Sequence, residues 1–127
     1  MKRLEQIAND FMKALAALED AARQAKSELE IDGTIQRFEF SFELFWKLLK
    51  VYLEGQGLIV RTPRDSFKEA FRLGIVDDEA ICLRMLDDRN LTVHLYDEQT
   101  SREVFVRIKN DYVKLLQGSL DKMKLKG

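Results

Sequence analysis

One cysteine (Cys82), one histidine (His94) and one proline (Pro63) are all that 127 residues contain of these types. A single cysteine excludes a disulfide framework, and one cysteine with one histidine excludes an ordinary His/Cys zinc site. Neither sign of charge is in excess. Lys plus Arg is 21 and Asp plus Glu is 22, a net −1, which excludes a generic basic nucleic-acid binder but leaves room for a local phosphate site. No apolar run approaches the ~18 residues of a membrane span, and the start Met1-Lys2-Arg3-Leu4-Glu5 leads into no signal-peptide core. The expectation is a cytoplasmic protein with no membrane contact, no metal and no cofactor.

What is present is charge and periodicity. Charged residues make up 34% and hydrophobic residues 46%, against a usual charged share of about 25%, so polar and apolar faces must be strongly segregated. Breakers are scarce: besides Pro63 there are six glycines. Few turns and long periodic stretches predict one all-helical domain over 1–127.

The spacing predicts a first helix over about 2–30, with Leu4, Ile7, Phe11, Leu15, Leu18, Ala22, Ala25 and Leu29 on its stripe, broken by Asp32-Gly33. A second is expected over about 34–54. Ile35, Phe38, Phe42, Phe45, Leu49 and Tyr52 form one of its faces, and Phe40, Leu44, Leu48 and Val51 a second. Polar residues are squeezed into a stripe through Glu39, Glu43 and Lys47, so this helix is either central in its bundle or shared with a second subunit. Thr62 as N-cap and Pro63 at the first position open a short third helix, with Phe67, Ala70 and Phe71 inward and Gly74 closing it. Asp77 or Asp78 caps a fourth, carrying Ile81, Met85 and Leu86 and ending between Thr92 and Tyr96. Thr100 with Glu103 reads as a capping box for the last helix, whose stripe is Val104, Phe105, Ile108, Tyr112, Leu115, Leu116 and Met123. Four long helices and a short one make an antiparallel up-and-down bundle.

The densest chemistry lies in Asp87-Asp88-Arg89-Asn90-Leu91-Thr92-Val93-His94-Leu95-Tyr96-Asp97. One reading is a metal-free phosphodiester site. His94, titrating near neutrality, would move the proton of a ribose 2′-hydroxyl, Arg89 would stabilise the phosphate, and Asn90 would orient either group. The other reading is a helix C-terminus, where a His favours the last carbonyls and Arg89 pairs with Asp87, Asp88 or a neighbouring helix. Five residues of helix turn through about 140°, so Arg89 and His94 share a face only if the helix loosens or a two-fold partner supplies a second copy.

Arg89-x-x-x-x-His94-x-Tyr96 is similar to the Arg/His signature of HEPN domains. Ile35-Gln36-Arg37-Phe38-Glu39-Phe40-Ser41-Phe42-Glu43-Leu44-Phe45-Trp46-Lys47-Leu48-Leu49-Lys50 resembles the second helix of the nucleotidyltransferase substrate-binding protein family. So do Pro63-Arg64, Lys68-Glu69-Ala70-Phe71, and Met85-Leu86-Asp87-Asp88-Arg89-Asn90-Leu91-Thr92 at their places in the chain. This resemblance covers about residues 1–120. It implies a HEPN-like antiparallel helical bundle forming a homodimer, and a separately encoded minimal nucleotidyltransferase that binds it. It also implies, as in related pairs, a toxin that cuts RNA and is silenced when the partner attaches adenylate to the motif tyrosine, here Tyr96.

The chain has neither a Gly-rich phosphate loop nor the Gly-Ser with paired aspartates that polymerase-type nucleotidyltransferases use to hold magnesium. Asp87 and Asp88 are adjacent and diverge by about 100° on a helix, so the nucleotidyltransferase itself is not expected here. Glu39, Glu43 and Lys47 line a ligand cleft or contact Arg89 across the bundle; the alternative is an exposed i,i+4 ladder. Trp46 reads as core or dimer interface before base stacking, Cys82 as a small buried residue, and Arg61, Arg64, Lys68 and Arg72 as a small basic cluster. The expected function is a bundle subunit that binds the nucleotidyltransferase and shapes its substrate site. Asn90, Tyr96, Glu39, Glu43 and Lys47 would line that site, with RNA or a nucleotide as ligand. The alternative is a metal-independent ribonuclease using Arg89 and His94.

Overall fold

The computed structural model describes residues 2–92 and 97–124. Helix α1 (Lys2–Gln24) is followed by α2 (Glu28–Gly55), the short α3 (Pro63–Arg72), α4 (Glu79–Thr92) and α5 (Glu98–Arg107). A π-helical turn (Ile108–Tyr112) then leads without a break into α6 (Val113–Met123). Among the described residues there is no strand, and no helix is long and apolar enough to cross a membrane.

The chain reverses between α1 and α2 earlier than the Asp32-Gly33 pair suggested. Ser27 caps α2: its hydroxyl accepts from the Glu30 backbone N–H at 3.1 Å, while the Glu30 carboxylate accepts from the Ser27 N–H at 2.9 Å. This reciprocal capping box satisfies donors that a run-on helix would leave to chance. Asp32-Gly33 then sits inside α2, and Leu29 leaves the predicted core stripe to lie 81% exposed. At the other end of α2, Gly57 takes φ +84°. Its N–H bonds the Glu54 carbonyl and that of Leu58 bonds Leu53, a Schellman close that needs a residue tolerant of left-handed φ. Gly74, at φ +78°, closes α3 in the same way through Ala70 and Phe71.

Thr62 caps α3 as expected, accepting from the Asp65 N–H, and Asp78 caps α4 by accepting from Ile81. The last helix opens differently from the expected Thr100/Glu103 box. Asp97 is the N-cap, accepting from the Thr100 N–H at 2.7 Å, so Thr100 lies inside α5. Phe71 departs from expectation, lying 47% exposed while Phe67 and Ala70 are buried. On the second apolar face of α2, Leu48 and Val51 are buried and Phe40 is 62% exposed.

Helix α2 packs against α1, α3, α4 and α5 and is therefore the central helix of this bundle. Phe11 meets Phe45, so α1 and α2 run antiparallel out of their three-residue connection. A run of six rings crosses the core: Phe11, Phe45, Phe67, Phe42, Phe38 and Tyr112, with successive centroids 5.4–6.2 Å apart. Arg89 faces Glu43 and Thr92 faces Glu39, so α4 descends against α2. The result is the up-and-down all-α bundle that the periodicity predicted.

Candidate functional site

The last turns of α4 touch two neighbours at once. On one side is the polar stripe of α2. Arg89 Nη2 lies 2.8 Å from Glu43 Oε1, and the Thr92 hydroxyl donates to Glu39 Oε2 at 2.9 Å. The indole N–H of Trp46 approaches Glu43 Oε2 at 3.4 Å, and Lys50 Nζ sits 5.9 Å from the Trp46 ring centroid. The Arg89 and Glu43 side chains are 30% and 35% exposed, so the pair borders solvent. Arg89 Nε is buried and finds no acceptor among the described residues. An arginine held at one nitrogen and bordering solvent can present its remaining donors to a phosphate or carboxylate.

Of the residues expected in the site, the structure therefore brings together Glu39, Glu43 and Arg89. It adds Thr92, which the sequence did not single out, and gives Trp46 a polar partner. Asn90 and Lys47 are exposed and take no side-chain hydrogen bond or ion pair among the described residues. His94 and Tyr96 lie outside the described residues.

On the other side of α4 is the π-helical turn. The Asp88 side chain is turned inward and the residue is only 5% exposed. Arg107 grips it with two bonds, Nε to Oδ2 at 2.7 Å and Nη2 to Oδ1 at 2.8 Å. The Tyr112 hydroxyl donates to Oδ2 at 2.5 Å. Arg84 closes the group, pairing with Asp111 at 2.5 Å and lying 5.4 Å from the Tyr112 ring centroid. Burial, and then the hydrogen bond to Asp88, push the Tyr112 phenol above its ordinary range. Asp88 raises the already high basicity of Arg107, keeping the guanidinium charged.

The signal for this second group was present in the register. Cys82 and Met85 lie on the inward stripe of α4, and a step of three from Met85 lands on Asp88. A carboxylate at a core position needs a cation or donors to meet it. Arg107 and Tyr112 were the partners, but a plain α-helix would have placed them about 140° apart. The π turn could not be read from sequence spacing.

Elsewhere, Cys82 is buried and its thiol is pushed up to about 12, chiefly by desolvation, so it is an inert packing residue. Between the starts of α2 and α5, Glu28, Asp32, Asp97 and Glu98 border a cavity of about 150 Å³ with Arg102. There a hydrogen bond to Glu98 raises the Glu28 carboxyl above its ordinary range. Among the described residues, no group of three or more His, Cys, Asp or Glu could hold a metal ion.

The chain is similar to known proteins in both fold and sequence. A protein of Thermus thermophilus of known crystal structure is 39% identical and superposes with a TM-score of 0.83, over 90% of this chain and 98% of that one. A Haemophilus influenzae structure, described as revealing the fold of a substrate-binding domain of a nucleotidyltransferase, is 25% identical. Its TM-score is 0.79, over 92% of this chain and 98% of that one. A Haemophilus influenzae protein named "probable ribonuclease HepT" is 32% identical over 83 residues, 61% of this chain, and the match spans 57% of that protein's length. The family model "Nucleotidyltransferase substrate binding protein like" matches residues 6–125, nearly the whole bundle. On that match the chain belongs to the nucleotidyltransferase substrate-binding protein-like family.

Proposed function

We propose that this chain is the helical-bundle subunit of a two-protein nucleotidyltransferase system. It binds a separately encoded minimal nucleotidyltransferase and lends the α2–α4 cleft to that enzyme's substrate site. The observation that carries this reading is the family match over residues 6–125, seated on a bundle whose border-of-solvent arginine, Arg89, is held against Glu43 at 2.8 Å. Arg89 is already paired with Glu43 and the chain carries a net −1, so the site suits a small or partner-delivered ligand better than a polyanion drawn from a distance. Asn90, exposed beside Arg89, and Lys47, one turn along from Glu43, complete the cleft in this reading. The bundle works as a homodimer, for which α2 offers Leu29 and Phe40, 81% and 62% exposed and three turns apart on one face.

A second reading is favoured by the similarity to a protein named as a ribonuclease. In it, Arg89 steadies a scissile phosphate and His94 moves the 2′-hydroxyl proton, without a metal. The partner then silences the bundle by attaching adenylate to Tyr96.

Intact mass after co-expression with a minimal nucleotidyltransferase encoded beside the gene, with ATP present, separates the two. A gain of AMP that vanishes in Tyr96→Phe supports the silenced ribonuclease. An unchanged mass with the two proteins co-purifying supports the substrate-binding subunit. Failure to co-purify, with no AMP gained, defeats both.

A further inference from the structure

Asp88 is the only buried charged residue among the described residues. It meets the π-helical turn, which breaks the regular ladder of its helix. Neither feature is explained by stability alone: a buried ion pair is often no more stable than well-packed apolar side chains, and π turns are rare and frequently found at functional sites. Their coincidence has a geometric reason. Arg107 and Tyr112 are five residues apart and would diverge by about 140° on an α-helix. The π turn, closed by the Val113 N–H on the Ile108 carbonyl, takes in an extra residue and turns both side chains onto one carboxylate.

That carboxylate belongs to the residue before Arg89. Along α4 the two side chains leave the axis about 100° apart. Asp88 goes to the π turn and Arg89 to Glu43 on α2. Buried Cys82 and Met85 seat α4 on the core, and Arg84–Asp111 and Thr92–Glu39 tie it one turn before Asp88 and one after; between them, Asp88 is the attachment next to Arg89 and the one whose charge is buried. Breaks with local stability rules are expected where function requires a defined geometry.

We propose that Asp88 is a positioning residue for Arg89. Held by Arg107 and Tyr112 across the π turn, it sets the rotation of the last turns of α4 and hence the direction in which Arg89 meets its ligand. The inference rests on the reading of Arg89 as a ligand-facing residue. Its test does not, because the order of the Arg89 side chain is measured directly.

The experiment is ¹⁵N relaxation of the Arg89 Nε–H group, identified by its loss in Arg89→Lys, in the full chain and in Asp88→Asn. Asparagine keeps the shape and an acceptor for Tyr112 but loses the charge that holds Arg107. The Arg89 Nε–H order parameter is expected to fall by about a quarter or more of its wild-type value, with α1 and α2 amide protection unchanged. An Arg89 that stays ordered in folded Asp88→Asn overturns the proposal. If Asp88→Asn does not fold, Tyr112→Phe, which removes one hydrogen bond, carries the same test with the same two outcomes.

A second arm uses the complex with the co-expressed nucleotidyltransferase. If Asp88 acts through Arg89, Asp88→Asn weakens that complex in the wild-type background and has no further effect in Arg89→Ala. Full additivity of the two losses overturns the proposal. If Asp88→Asn loosens Arg89 while Arg89→Ala changes neither partner binding nor the mass at Tyr96, the positioning stands and the functional reading of the cleft falls.

Discussion

Tyr112 is held as a neutral phenol against a charged carboxylate, and this gives stability a signature at alkaline pH. An unfolded tyrosine loses its proton near pH 10.0, and burial with the Asp88 hydrogen bond raises that point in the folded chain. A raised pKa, that is a weaker acid, means that the stabilisation is fully present below the unfolded value and is lost as the pH climbs from there through the folded one. Urea unfolding should therefore show stability falling above about pH 10, and Tyr112→Phe should flatten that fall. At neutral pH the same substitution should cost about 1.5–3 kcal/mol for one lost hydrogen bond to a charged group. The Glu43–Arg89 pair behaves differently, because both side chains are about a third exposed. Such pairs contribute little to stability. Glu43→Lys is accordingly expected to weaken the complex with the nucleotidyltransferase while shifting Tm by less than about 5 °C; a large Tm loss with binding intact would overturn the functional role of Glu43. Much at this scale was legible beforehand, since one of the readings of the Glu39–Glu43 stripe had it touching Arg89 across the bundle. Asp88 reads from sequence as a metal pair with Asp87 or as a partner of its neighbour Arg89; its true partners, Arg107 and Tyr112, lie on another helix.

For whole helices, the same substitution should act with opposite sign at different glycines. Gly33 lies inside α2 with nothing within 4 Å of an added Cβ. Gly33→Ala is thus expected to stabilise by about 0.5–1 kcal/mol. Gly57 and Gly74 have equal room but positive φ, so alanine there should cost about 1 kcal/mol or more. Thermal melts of the three single variants check the pattern, and stabilisation at Gly57 would contradict the Schellman close. Helix existence and order could be read from periodicity, including the Thr62–Pro63 start of α3. Two boundaries could not. Asp-Gly outranked Ser27 as a breaker, although a Ser with Glu three residues on satisfies real donors while a lone glycine merely costs helix propensity. The Thr100/Glu103 pair outranked Asp97, whose carboxylate is the stronger cap and is held below its ordinary range by the Thr100 N–H.

Across the molecule, the six-ring run joins α1, α2, α3 and the π turn into one packed unit. Phe45 touches two of these rings and is fully buried. Phe45→Ala should cost about 3–5 kcal/mol, a large share of the ~5–15 kcal/mol that holds a domain folded. Phe40 presents the opposite case. It is an aromatic side chain of α2 left mostly to solvent, so Phe40→Asp should leave the fold of the single bundle intact, and any fall in Tm should be the concentration-dependent part that comes from assembly. If the homodimer forms on that face, sedimentation or light scattering of this variant should report a monomer where the wild type reports a dimer. The bundle architecture followed from binary patterning, which specifies which residues turn inward. Which outward residues meet another molecule is decided by surfaces that patterning treats as alike.

Trp46 is the sole tryptophan of the chain, and its indole stands between the Glu43 carboxylate and the Lys50 ammonium. Intrinsic fluorescence excited at the red edge of the protein band therefore comes from one location, beside the Arg89 ion pair. Any ligand or partner that draws Arg89 away from Glu43 changes the charge next to that chromophore, and its emission should shift. The protein carries a label-free optical reporter at the place where its function is proposed to reside.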